Sequence, residues 1–205
     1  MDNNRDRPKT GIRQSAYPGS RPYFSLAGGR RKRRIPEAIK KLHIPLAVLE
    51  ATSRAMQCNG QEDRECYVWW GGYYTSEGDC QVVTALIPDA ETTFGRIHLD
   101  NRQLSVLHTQ LRDLDQVLVV ELHTHPPGAG GQNDVDAAHP ASTHKGFITI
   151  VVPDFAFPLF YDLRDAHVYE YQMQGNWREL SREEISERFV IEETAISVEV
   201  GNGSG

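Results

Sequence analysis

The sequence predicts an α/β (α+β) domain with a mixed central sheet flanked by helices, and three observations predict it. Two apolar, β-branched runs, "QVLVVELH" and "FITIVVP", read as central strands. Two further runs, "CYVWWGGYY" and "CQVVTALIP", read as a hairpin turning around Glu77, Gly78 and Asp79. Between these pairs, "LDNRQLSVLHTQLRDL" places Leu104, Leu107, Leu111 and Leu114 on one face of a helix with a polar outer side.

In chain order, "IPEAIKKLHIPLAVLEATSRAMQ" has helical spacing of apolar residues, with Pro36 and Pro45 suited to first-turn positions, and predicts a helix over about 45–57. The hairpin strands follow at 66–74 and 80–88. In the first of them Trp69 and Trp70 alternate across the strand, so one is expected in the core and its neighbour on the other face. "PDAETTFGRIH" reads as a surface loop, and the amphipathic helix runs over 99–114. After the two central strands, "FPLFYDL" and "AHVYEYQM" suggest a strand pair turning at Arg164 and Asp165. "SREEISERF" is a helix with Ser181 as cap and Glu184 completing a capping box. The final "GNGSG" is expected to lack fixed structure. The chain contains no internal repeat, and it divides into a basic tail (1–40), one domain (41–180) and a C-terminal helix with a disordered end (181–205).

Charge is divided as sharply as structure. Residues 1–43 hold 12 of the 22 Lys and Arg against 3 of the 28 acids, leaving 10 basic and 25 acidic residues from 44 onward. The segment "RRKRR" (Arg30 to Arg34), set among Gly, Pro and Ser, reads either as a mobile tail that touches nucleic acid or an acidic partner, or as a solvated extension. The acidic body argues against a main role in nucleic-acid binding. No apolar run approaches the length of a spanning helix, and the N-terminus lacks the apolar stretch of a signal peptide, so a cytoplasmic protein is expected. Cys58, Cys66 and Cys80 are an odd set without CxxC spacing, which suits buried thiols in a reducing compartment.

The stretch that carries chemistry is "VLVVELHTHPPGAGGQNDVDAAHP" (117–140). On a strand, residues i and i+2 share a face, so His123 and His125 project together at a spacing that lets both imidazoles reach one ion. A catalytic zinc takes three protein ligands and keeps a fourth position open, so a third ligand is required. Asp136 is the candidate: the glycine-rich turn brings the chain back, and a helix starting near Asn133 presents Asp136 in its first turn. With 8 His and 13 Asp in 205 residues, HxH followed by Asp eleven residues on is expected by chance about 0.02 times. The pattern therefore stands above composition. Glu121 shares a strand face with His123 and serves either behind the metal ligands or in a structural hydrogen bond. Asp134 suits the helix N-terminus, and His139 and His144 read as surface histidines because a second metal there would lack partners.

"HTHP" followed by Asp136 resembles the HxHP…D signature of the JAMM (MPN+) metalloproteases, zinc enzymes whose best-known members cleave isopeptide bonds to ubiquitin and ubiquitin-like proteins. That family also uses a glutamate on an early strand followed seven residues later by glycine, and "ECYVWWGG" supplies Glu65 and Gly72 at that offset. The order helix, hairpin, helix, HxHP strand, short helix, strand also agrees over roughly residues 40 to 173. The resemblance implies an MPN/JAMM-like domain in which His123, His125 and Asp136 hold Zn2+ and Glu65 is the acid-base group. The family motif usually carries serine three residues before the aspartate, placed to hydrogen-bond the developing oxyanion; Asn133 stands there, and its amide can donate in the same way or cap the helix.

The function so implied is a zinc-dependent isopeptidase or peptidase acting at the C-terminus of a ubiquitin-like protein. The resemblance also implies that bacterial members of that family occur in operons with ubiquitin-like, E1-like and E2-like proteins, including systems of antiphage defence. Two other readings of the same residues are a non-catalytic MPN-type scaffold, and a JAMM hydrolase acting on a sulfur-carrier protein.

Overall fold

The computed structural model describes residues 36–75, 77–88, 90–193 and 200–202. In chain order the elements are β1 (Leu42–Pro45), α1 (Leu46–Gly60), β2 (Tyr67–Tyr74), β3 (Cys80–Ile87), β4 (Glu91–Thr93), β5 (Arg96–His98), α2 (Asn101–Asp113), β6 (Val117–Thr124), α3 (Asp134–Ala138), β7 (Ile148–Val152), β8 (His167–Met173), β9 (Asn176–Glu179), α4 (Arg182–Arg188), β10 (Phe189–Glu192) and β11 (Val200–Asn202). The main sheet runs β10-β1-β3-β2-β6-β7-β8-β9, with β11 also paired to β3. The β10/β1, β1/β3, β11/β3 and β6/β7 pairs are parallel and the remaining pairs antiparallel, so the sheet is mixed, as expected.

Trp69 and Trp70 show how this sheet is covered. Neighbours on a strand face opposite sides, and both indoles are fully buried. Trp70 packs in the larger core with Val48, Leu49 and Met56 of α1, its Nε1 donating to Thr52 Oγ1 at 2.8 Å. Trp69 packs with Leu86 of β3 and Leu107 and Leu111 of α2. One helix therefore seals each face of the β2/β3/β6 centre, and truncating either indole would cost about 3–5 kcal/mol. Just beyond them, the β2 register shifts at Gly71 and Gly72 against both neighbours. A Cβ on Gly72 would stand 2.0 Å from the Gln81 carbonyl oxygen, so only glycine lets the strands approach this closely.

The structure departs from the sequence reading in six places. The strand β1 precedes α1, and Pro45 is the helix N-cap rather than a first-turn residue. The expected surface loop at 88–98 contains the small antiparallel hairpin β4/β5. "FPLFYDL" forms no strand: Phe160 and Leu163 turn into the core and the Phe160 N–H donates to Ser53 Oγ on α1, so β8 pairs instead with β9 across a turn at Gln174 and Gly175. Leu114, assigned to the buried helix face, is 41% exposed beyond the end of α2. Cys66 and Cys80 are buried as expected, but Cys58 is exposed.

The sixth departure concerns the domain boundaries. Ile39, placed in the tail, is a core residue whose carbonyl accepts from Arg188, and residues 1–35 of the expected basic tail lie outside the described residues. The helix with its Ser181–Glu184 capping box is present, but it leads into β10, which pairs with β1 along the sheet edge. Within the end expected to be disordered, Val200–Asn202 pair with β3; residues 194–199 and 203–205 lie outside the described residues. Among the described residues no helix is long and apolar enough to cross a membrane.

The C-terminal elements are fastened by one buried carboxylate. Glu170 on β8 accepts from Arg188 Nη2 at 2.6 Å, from Arg178 Nη2 at 3.1 Å and from Gln172 Nε2 at 2.9 Å. Burial raises its pKa, but the hydrogen bonds and charges of Arg188 and Arg178 prevail and hold it below the ordinary value. A depressed carboxylate pKa stabilises the fold above the unfolded value near 4.3, and that stabilisation is lost as pH falls through the folded value. Glu170→Ala should therefore lower stability by about 3 kcal/mol at neutral pH, because it removes the carboxylate partner of the largely buried Arg188 and one of the two that Arg178 has. The loss should shrink as pH drops below about 4, which urea unfolding across pH will measure.

Candidate metal centre

The site is built by the register between β2 and β6. Tyr67 stands opposite His123 in this antiparallel pair, and the hydrogen bonds continue one step further, Thr124 N donating to the Cys66 carbonyl at 3.0 Å and Cys66 N to Thr124 Oγ1 at 2.8 Å. The same register sets Glu65 opposite His125, so Glu65, Tyr67, His123 and His125 share one face at the strand ends. On the other side the His125 N–H donates to the Val152 carbonyl at 2.9 Å, which continues the β6/β7 pairing past the end of β6. Glu65 is fixed in turn from the β4/β5 hairpin, where the Thr93 carbonyl accepts its N–H at 3.0 Å.

The chain then returns Asp136. Asn133 is the N-cap of α3: its Oδ1 accepts from Val135 N at 2.8 Å and Asp136 N at 3.1 Å, while Asp136 Oδ2 accepts from the Asn133 N–H at 2.9 Å. This reciprocal box holds Asp136 in the first turn, as the sequence predicts. The loop before it is fixed by Tyr169, whose hydroxyl accepts from Gln132 N at 3.1 Å; a Cβ on Gly131 would collide with that hydroxyl at 2.0 Å.

Three side-chain atoms converge. His123 Nε2 and His125 Nε2 lie 3.2 Å apart, and Asp136 Oδ2 lies 3.5 Å from the first and 3.1 Å from the second. In a tetrahedral site with ligands about 2.1 Å from the ion, ligand atoms stand roughly 3.4 Å apart. The triangle thus has the size of one face of such a tetrahedron, and two imidazoles with one carboxylate can hold a metal ion. The His125 ring is oriented for this by its Nδ1, 3.2 Å from the Gly130 carbonyl. In the neutral ring, donation there puts the proton on Nδ1 and leaves Nε2 free as a ligand.

Electrostatics distinguish three of the ionisable groups. Burial pushes the Glu65 carboxyl up to about 7, against the lowering influence of His125 and His123. Asp136 is half-buried, which would raise it, yet the hydrogen bonds from His123 and His125 hold it well below the carboxylate range. His125 is the converse: burial lowers it, but Asp136 and Glu65 outweigh that and raise it above the ordinary histidine value. One carboxyl can thus exchange a proton near neutrality beside another that stays ionised.

The sequence reading placed Glu65, His123, His125, Asn133 and Asp136 in one site, and the structure gathers all five on one end of the sheet. Asp134 lies in the first turn of α3, His139 is exposed, and His144 is half-buried with Ser142 Oγ at 2.7 Å from its Nδ1. Sequence reasoning missed Tyr67, whose hydroxyl donates to Glu121 Oε2 at 2.9 Å, and Gly130, whose carbonyl orients His125. Tyr67 was available to it, two residues after Glu65 on the same strand face; a carbonyl contact leaves no trace in side-chain pattern.

No family model matches the chain. Among solved structures it is similar to the protein DSY2949 from Desulfitobacterium hafniense, at 12% identity over 75% of this chain and 94% of that one, with a TM-score of 0.55. A protein from Salinibacter ruber aligns at 13% identity over 76% and 95% of the two chains, with a TM-score of 0.47. The first likeness is one of fold.

Protein purified without chelators should carry about one divalent metal ion per chain by elemental analysis, and His123→Ala or Asp136→Ala should retain less than about a tenth of it. Affinity should fall as pH drops, because protons compete for both imidazoles and the raised His125 begins to compete above the ordinary histidine value. Stoichiometric metal in His123→Ala would refute the ligand assignment.

Proposed function

We propose that this chain is a JAMM-type zinc metalloprotease that hydrolyses the peptide or isopeptide bond following the C-terminus of a ubiquitin-like protein, with E1-like and E2-like proteins as its functional partners. The observation that carries the reading is the set of three ligand atoms at 3.1–3.5 Å with a carboxyl near neutrality beside them. The HxHP…D spacing and the Glu65 to Gly72 offset supply the substrate class, through the family they resemble. The donor set, two imidazoles and a carboxylate, fits zinc. When bound, zinc supplies Lewis acidity toward a carbonyl oxygen and a water nucleophile.

The chain's own groups do the proton work. Glu65 takes a proton from the water that adds to the scissile carbonyl carbon and returns one to the leaving amine as the C–N bond breaks. A carboxyl poised near 7 can do both at neutral pH. Asn133 engages its Oδ1 in the cap and leaves its Nδ2 hydrogens without a partner among the described residues; these are the donors for the developing oxyanion. The scaffold reading leaves a buried, neutral-range Glu65 beside three converging ligand atoms without a role.

The test is cleavage of a linear ubiquitin fusion and of fusions to ubiquitin-like proteins, with zinc and with chelator. Zinc-dependent cleavage after the C-terminal glycine is expected. Glu65→Gln should keep fold and metal content while lowering kcat about a hundredfold or more; an undiminished kcat would remove the acid-base role.

Asn133 separates two functions in one side chain. Asn133→Ala should lose about 1 kcal/mol of stability with the cap and also lower kcat roughly ten- to a thousandfold at nearly constant KM. Asn133→Asp keeps the capping oxygen but not the donor, so it should remain stable and be slow. Asn133→Ser should keep much of the activity. A fast Asn133→Asp variant would confine Asn133 to capping.

A further inference from the structure

We propose that Glu121 is a positioning residue of the metal centre, the buried clasp that docks the returning segment so that Asp136 meets the two histidines. The inference rests on reading those three residues as a metal centre and does not depend on the reaction.

The returning segment has little else to hold it. The helix α3 is five residues long and buries none of them, and Val135 on it is 67% exposed. Apolar packing therefore does not fix its position, and the connections that do are polar. Before the helix, Gln132 N donates to Tyr169. At its end Trp177 Nε1 donates to the Ala137 carbonyl at 3.1 Å. After it, the Ala141 N–H donates to Glu121 Oε2 at 2.8 Å, and Ala141 packs against the cluster around Trp69.

Glu121 differs from the other two anchors in lying on the strand of the histidines. It precedes His123 by two residues on the same face, opposite Trp69, and is 4% exposed. Its Oε2 accepts two hydrogen bonds, from Ala141 and from the hydroxyl of Tyr67, which itself stands opposite His123. A continuous path follows: His123 to Tyr67 by register, Tyr67 to Glu121, Glu121 to Ala141, and Ala141 back along five residues to Asp136. Carboxylate burial is costly unless such bonds are made, so the side chain has one position in which it is satisfied, and that position sets the distance between the strand and α3.

Reach and charge can be tested separately by zinc competition with a chromophoric chelator, alongside unfolding of the metal-free protein. Glu121→Asp keeps the charge but withdraws the oxygen by one methylene from Ala141; it should weaken zinc binding about ten- to a hundredfold, the usual effect of losing a group that orients ligands, at unchanged stoichiometry. Glu121→Gln keeps an acceptor for both donors and should stay within roughly threefold of the parent. Parental affinity in Glu121→Asp, or a Gln variant as weak as the Asp variant, would overturn the proposal; the second outcome assigns the effect to charge. A lowered metal-free unfolding midpoint with unchanged affinity would make Glu121 purely structural and overturn it too. Should Glu121→Asp not fold, Tyr67→Phe frees the same carboxylate and is expected to weaken zinc severalfold, with unchanged affinity again contrary. A parent protein that binds no zinc would overturn the metal centre itself, visibly before any variant is compared.

Discussion

The pairing of β2 with β6 is the constraint on which the site depends. Because Tyr67 faces His123, Glu65 faces His125, and a slip of one residue would send these side chains to the opposite face of the sheet. What opposes the slip is packing: Trp69 and Trp70 fill the two faces of β2, one against α2 and one against α1, and a shift of one residue would leave one of these places to Val68 or Gly71. The glycine pair that follows lets β2 change register immediately after the tryptophans. Core geometry at one end of the strand thus fixes polar geometry at the other.

That polar end is an unusual thing to bury. Glu65, Glu121, His123 and His125 are each 6% exposed or less. Groups of this kind are tolerated where each finds a partner, and here the partners come from one another and from the returning loop. Asp136 Oδ2 is bonded by His125 and lies 3.5 Å from His123 Nε2, Gly130 orients His125, and Tyr67 and Ala141 satisfy Glu121. The fold therefore contains a buried polar cluster in which two carboxyls have opposite tendencies, Asp136 held ionised and Glu65 raised to about 7.

Much of this was legible in the sequence because it is local. The i, i+2 histidines, the Asn133–Asp136 box, the Ser181–Glu184 box, the β2/β3 hairpin and the Leu107–Leu111 face each express a periodicity or a cap within a few residues. The two largest misses are non-local. Strand β1 is four residues within a stretch of helical apolar spacing, and it exists as a strand through parallel pairing with β10, nearly 150 positions away, and β10 in turn follows a helix with no intervening turn signal. "FPLFYDL" has strand composition, yet its N–H at Phe160 is claimed by Ser53 and the place beside β8 is taken by β9. Propensity loses to whichever partner satisfies the backbone.

The Asn133–Asp136 box joins local legibility to the chemistry proposed. Capping boxes are ordinarily a matter of helix stability, worth about 1 kcal/mol. In this one the reciprocal member, Asp136 Oδ2, is the same atom that faces His123 and His125, so the bond from the Asn133 N–H orients a ligand while it caps. Asparagine adds something that a hydroxyl cap lacks. Its amide is planar, and once Oδ1 is held by the N–H groups of Val135 and Asp136, the direction of Nδ2 is determined as well. A serine at this position caps and donates through one rotating oxygen, whereas asparagine divides acceptance and donation between two atoms of a rigid group. Under the proposed reaction a donor held in this way would be preorganised by the helix cap, and asparagine would serve both tasks by different means from the serine of the family it resembles.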